Sequence, residues 1–395
     1  MLVRWRAVGP AGAQRGLLAA VAATLALLGL YRTPVGPRPL PSRPAPPVRG
    51  GHGLPHSQQL WNQCRNVLLM SQLQFPWERG DRHQRCKKAQ WSVAEALEGV
   101  RKLQQSRPDR RAVRIVFIGD SRVRNLHSTL VKELGLRPDN ASTVPMFYNE
   151  VFHPREQLRR AVPPQQRLPG LRAGCTEVDV MRPDGQDRVR CSLAAGAASL
   201  RSEFWWRPYL ERRSAALLDS LIAECEAGRC PDLVVIDSGP WYARVARYSG
   251  DPTTERVFVF RAELAAAAGR LARLADATRL LWKLDEQYMP EVAYGRKMNV
   301  TGAMMVLSSV VHETAARIPR LSAWSSGLAE TTHFYHQVCL PHGRQLRQFT
   351  YSPVRHECLD PMHVGHTVRW KMIQTLFNVL FFNVVAPTQG LCCGA

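Results

Sequence analysis

A chain of 395 residues with 45% hydrophobic and 22% charged residues can bury a large core, which excludes a mostly disordered protein. Its formal net charge is +21, and all but seven of its 53 basic residues are arginine. These arginines lie singly and in pairs along the whole chain, as a compositional bias would place them, and no zinc-finger, homeodomain or RNA-recognition pattern accompanies them. Nucleic acid is therefore not an expected partner, whereas an anionic glycan or a membrane surface fits the charge.

Arg4, Arg6 and Arg15 precede the apolar run GLLAAVAATLALLGLY at residues 16–31. A basic flank before such a run marks a signal peptide or a short membrane anchor. No small-x-small cleavage site follows Tyr31, which favours an uncleaved anchor with the basic side in the cytoplasm. The run is short, which suits a thin early-secretory membrane. Residues 32–57 are rich in proline and poor in core-forming residues, and predict an extended stem. The expected organisation is a cytoplasmic tail (1–15), an anchor (16–31), a stem (32–57) and a luminal domain (58–395). Many glycan-processing enzymes of the Golgi share this layout, so the expectation is a single-pass type II Golgi protein, with a secreted protein as the alternative. Ten cysteines and the sequons at Asn140 and Asn299 fit an oxidising lumen, although spacing does not give the pairing. No zinc-knuckle spacing is present and no bound metal is expected.

Within the luminal part, short apolar runs alternate with helical patterns. Strands are predicted over 113–119, 232–239 and 279–285, and helices over 124–134, 209–227, 260–277, 302–318 and 364–385. The last helix is apolar over only about 11 residues, so a buried core helix is expected rather than a membrane span. This alternation predicts an α/β protein of three layers, α/β/α, with a mainly parallel sheet.

Ligands of such sheets sit at the carboxyl ends of the strands. There the first strand runs into Gly119-Asp120-Ser121, and a helix follows. Backbone N–H groups at a helix start can stabilise an oxyanion, and a serine there can act as a nucleophile if a base takes its proton. The D-x-x-H of Asp360 and His363, marked by Pro361 just before the last helix, offers that base and an acid to orient it. His366 competes as base but falls within the predicted helix. Asp120 reads as a turn residue, and His127 as a structural residue facing away from Ser121. Trp205 and Trp206 read as core or as sugar-stacking rings. His333 and His336 lack a further ligand set and read as structural.

GDS after the first strand with D-x-x-H near the end resembles the SGNH/GDSL hydrolases. The fuller pattern GDS-x-x-R, ending at Arg124, resembles their PC-esterase branch, and within it the luminal domains of sialate 9-O-acetyltransferases. Cys64, Leu68, Leu69, Ser71, Trp77 and Cys86, the stretch FWWRP (204–208), RKMN (296–299) and Gly390-x-Cys392-Cys393 also have counterparts there. The resemblance covers residues 60–395. It implies an SGNH-like domain in which Ser121 is the nucleophile, Asp360 the orienting acid, His363 the base, Gly239 an oxyanion donor and Arg124 an oxyanion or substrate contact. It implies O-acetyl transfer to a glycan hydroxyl, with sialic acid or its nucleotide sugar as acceptor. No bound cofactor is implied, and acetyl-CoA is a candidate donor. Those relatives continue into a multi-span membrane domain, whereas this chain stops after the paired cysteines. A membrane partner supplying acyl groups, or a luminal donor, is thus expected. Pro361 replaces the family's glycine, and no asparagine follows Gly239. An esterase of the same fold and a non-catalytic glycan-binding or scaffold protein are the alternatives.

Overall fold

A computed structural model describes residues 90–134, 171–178, 188–195, 198–243, 253–286, 301–341, 358, 363–381 and 384. All of them belong to the larger of two units in the chain, Leu54–Ala395. The expected tail, anchor and stem, Asn140, Asn299 and Asp360 lie outside the described residues.

Strand β1 (Val113–Gly119) is buried at all but one position, as expected of a run with apolar residues on both faces. It lies in a seven-stranded sheet of order β2-β3-β4-β1-β5-β6-β7. Here β2 is Leu171–Val178, β3 Arg188–Ala195, β4 Ala198–Trp206, β5 Leu233–Ile236, β6 Arg279–Lys283 and β7 Leu321–Trp324. Strands β4, β1, β5, β6 and β7 run parallel. Strands β2 and β3 extend the sheet antiparallel beyond β4. The mainly parallel sheet matches the expectation. The antiparallel extension was not foreseen, because its strands mix arginine and serine with short apolar stretches.

The helices are α1 (Val93–Gln105), α2 (Ser121–Glu133), α3 (Arg212–Glu226), α4 (Thr253–Ala277), α5 (Thr301–Arg317), α6 (Ser326–Phe334) and α7 (His366–Phe381). The pleat sorts the strands' side chains between two cores. Ile115, Phe117, Val235 and Trp324 pack with residues of α1, α2 and α7. Val116, Ile118, Ile236 and Trp282 pack with residues of α3, α4 and α5. The result is a three-layer α/β/α arrangement. Helix α7 is buried along most of its length, and no described helix is long and apolar enough to cross a membrane.

Three boundaries differ from the sequence pattern at the place where a site is expected, and one of them is the end of β6, which stops at Lys283, two residues earlier than predicted. Helix α2 starts at Ser121, three residues earlier than predicted, because Asp120 caps it by accepting a hydrogen bond from the Arg122 N–H at 2.8 Å. Strand β5 ends at Ile236, so residues 237–239 leave the ladder as a loop. Among the described residues, disulfides join Cys225 to Cys230 and Cys339 to Cys358.

His127 sits inside the α2-side core, fully buried between Phe117 and Phe204, with ring centroids at 5.5 and 6.1 Å. Burial pushes its imidazole down to about 4 from an ordinary 6.5. The unfolded chain therefore takes up this proton first, so the stability that neutral His127 permits is whole above pH 6.5 and is lost as pH falls towards 4. Replacing His127→Leu removes this dependence. Urea unfolding at several pH values should show the variant gaining on wild type by about 1.4 kcal/mol per pH unit from 6.5 down to 4. A gap between the two that does not vary with pH contradicts the account.

Candidate functional site

Two strand ends set the frame. Glycine is required at position 119 by a close approach: a Cβ there would lie 2.4 Å from the backbone oxygen of Asp237, with φ at +156°. The two chains are tied at this level by Asp237 N–H donating to Ile118 O at 3.0 Å. Because Ile118 pairs with Ile236, Ser121 and Gly239 each lie three residues beyond the last paired positions of adjacent parallel strands. On the other side Gly119 pairs with Trp206, and the Arg207 N–H donates to Gly119 O at 2.8 Å.

Ser121 opens α2, where the first backbone N–H groups have no carbonyl one turn earlier to bond to. Its Oγ lies 2.7 Å from Nε2 of His363, although the two residues are 242 positions apart. His363 comes from the loop before α7. Three contacts hold the start of α7: His366 Nε2 donates to Glu133 Oε1 at 2.8 Å, Arg369 Nε donates to Thr129 Oγ1 at 3.0 Å, and Arg369 Nη1 donates to Val364 O at 2.9 Å. The His366 bond holds the Glu133 carboxyl below its usual range. Cys358, five residues before His363, is buried and bonded to Cys339 at the end of the turn that follows α6. His363 thus lies between a disulfide-bonded cysteine and a helix start that is fastened to α2.

The structure therefore brings Ser121 and His363 together and puts Gly239 on the adjacent strand end. His366 is tied to Glu133 instead of Ser121. The Arg124 guanidinium lies 5.5 Å over the Trp206 ring. Trp206 meets Trp241 edge to face at 5.8 Å, and Trp241 meets Tyr209 at 6.3 Å. Trp206, Tyr209, Trp241 and Arg124 are all partly exposed, and they form an aromatic wall with a cation that reaches back to Trp206, the partner of Gly119.

Sequence reading missed what lies behind Ser121. Asp120, Arg122, Asp237, Lys283, Asp285 and Glu286 are all buried at the carboxyl ends of β1, β5 and β6. Arg122 Nη1 donates to Asp285 Oδ1 at 3.3 Å and to the Glu286 carbonyl at 2.9 Å. Lys283 Nζ is paired with Asp237 Oδ2 at 3.2 Å and Glu286 Oε1 at 2.8 Å. Four carboxyl groups face two cations, so ionisation of all four is disfavoured. Burial, then the nearby Asp237, pushes Asp120 up to about 6. The same two causes push Asp285 well above the carboxylate range. Burial acts against the charge of Glu286, yet Lys283 and Arg122 hold its carboxyl low. The only signal for this cluster was the run of charges in KLDE (283–286) directly after a strand. Among the described residues no group of acidic, histidine or cysteine side chains could hold a metal ion, and within the cluster Lys283 and Arg122 supply the positive charge.

No family model matches the chain, and no curated protein matches it. A solved structure of a peptidoglycan O-acetylesterase is similar at a TM-score of 0.34 and 10% identity, over 73% of this chain and 96% of that one. That likeness is too slight to bear on substrate or activity.

The close approach at Gly119 is directly testable. Gly119→Ala forces the Asp237 carbonyl and the start of α2 apart, and should cost about 2 kcal/mol or more of stability in chemical unfolding. An unchanged unfolding curve would contradict the packing described.

Proposed function

We propose that the protein is a serine-dependent O-acyltransferase acting on a sugar hydroxyl. The observation that carries this reading is the 2.7 Å contact between Ser121 Oγ and His363 Nε2 at the carboxyl end of the sheet. In this geometry the hydroxyl donates to Nε2, so His363 takes the proton as Oγ attacks an acyl carbonyl. The oxyanion that forms lies against the N–H groups of Ser121 and Gly239. As it collapses, His363 returns the proton to the leaving group and an acyl-serine remains. His363 then takes a proton from the acceptor hydroxyl, whose oxygen attacks the acyl carbon, and passes that proton to Ser121 Oγ as the acyl–Oγ bond breaks. Asp360, three residues before His363, is the expected orienting acid for the imidazole.

The aromatic wall supports a carbohydrate acceptor, since indole faces stack on the apolar faces of sugars. Arg124 supports an acceptor with an anionic group, sialic acid or its nucleotide sugar among them, and acetyl-CoA is the donor to try first. On this reading the anchor and stem expected over residues 16–57 hold the site in the Golgi lumen. A second reading is an O-acetylesterase, favoured by the partial exposure of Ser121 and His363, which gives water access to the acyl-serine.

The test is incubation of the purified protein with acetyl-CoA and CMP-sialic acid, and separately with an acetylated ester, beside Ser121→Ala. Acetyl transfer to the sugar that falls about 10³-fold or more in Ser121→Ala is the expected result. Ester loss without transfer selects the esterase reading. Equal activity of wild type and variant in both assays overturns both readings.

A further inference from the structure

The buried charges behind Ser121 sit on three separate strand ends, and both expected oxyanion donors are built into them. Ser121 lies between Asp120, which caps α2, and Arg122, whose side chain reaches across to β6. Gly239 follows Asp237 by two residues, and Asp237 is paired with Lys283 of β6. Gly239 is also covered from behind. A Cβ on it would lie 2.3 Å from Oδ2 of Asp285, so the carboxyl of Asp285 occupies the space a side chain would need. The other oxygen of that carboxyl accepts from Arg122 at 3.3 Å. One side chain thus touches the backbone of one donor and the residue next to the other.

We propose that Asp285 is a positioning residue, which sets the spacing between the Ser121 and Gly239 N–H groups by bridging Gly239 to Arg122. This rests on the reading of the site as an acyl-transfer centre and adds to it the element that fixes the oxyanion geometry. Lys283 completes the device by holding Asp237 and Glu286, so that the loops after β5 and β6 move as one body. Asp285 itself is 7% exposed, and its carboxyl accepts from Arg122. Its two carboxyl oxygens act here through their positions, one against Gly239 and one on Arg122, so an amide of the same shape should replace it.

The experiment measures kcat and KM for hydrolysis of p-nitrophenyl acetate by the full chain, with melting temperature recorded for each variant. Asp285→Ala removes the bridge and should lower kcat about 10-fold or more while KM stays within about 2-fold, since loss of one whole oxyanion donor costs about 10²–10³ in kcat. Asp285→Asn keeps both contacts and should restore kcat to within about 3-fold of wild type. A folded Asp285→Ala with wild-type kcat overturns the proposal, and so does an equal loss in the Ala and Asn variants. If Asp285→Ala does not fold, Arg122→Lys shortens the same bridge and is held to the same kcat loss, a wild-type value again overturning the proposal. Ser121→Ala is run beside them. Turnover that survives Ser121→Ala removes the acyl-transfer reading itself, whereas Ser121-dependent turnover indifferent to Asp285 removes only the positioning role.

Discussion

The hydrogen bond between His363 and Ser121 joins two parts of the chain that local sequence has no means of bringing together. Ser121 is delivered by β1, whose end is fixed by the approach of Gly119 to the Asp237 carbonyl. His363 is delivered by α7, which lies on one face of the sheet against α2 and is fastened to it through Glu133 and Thr129. Each fastening uses residues of α2 itself, so the helix that begins with the serine also anchors the helix that follows the histidine. A contact of 2.7 Å between groups on two elements needs both to be rigid, and the shared partner α2 provides that.

The charge cluster at the sheet end is a different kind of constraint. Burying an ion costs several kcal/mol even when it is paired, and apolar residues of the same volume would often serve stability at least as well. Four acids and two bases in one buried place therefore make poor sense as a stabilising device alone. They make better sense as a geometric one. Ion pairs and hydrogen bonds fix directions between loops, whereas apolar packing mainly fixes volumes. The loops they join carry Ser121 and Gly239.

Much of the architecture was legible because a parallel sheet buried on both faces writes continuous apolar runs into the sequence. The strand at 113–119 was placed to the residue for that reason. Strand β5 was drawn too long, since nothing in DLVVIDSG marks where the ladder gives way to the loop that carries Gly239. Strand β4 was missed because Arg201, Ser202 and Glu203 break its apolar pattern, although Ser202 and Glu203 are fully buried. In the site, the motif GDS and the histidine of D-x-x-H were legible as types and spacing. Asp120 was correctly read as a turn residue, and the structure makes it the cap of α2. Lys283, Asp285 and Glu286 were not legible, because charges after a strand ordinarily mark its exit into solvent. Nor did sequence show why position 239 must be glycine. The reason is the Asp285 carboxyl, contributed by the segment after β6, nearly fifty residues further on.

The central claim is that His363 makes Ser121 a nucleophile. The most direct measurement is to mix the protein with p-nitrophenyl acetate, quench with acid during turnover and map the modified peptide by mass spectrometry. The account predicts a single acetyl group on Ser121, strongly reduced in His363→Gln. Acetylation confined to other residues, with Ser121 unmodified, would contradict it.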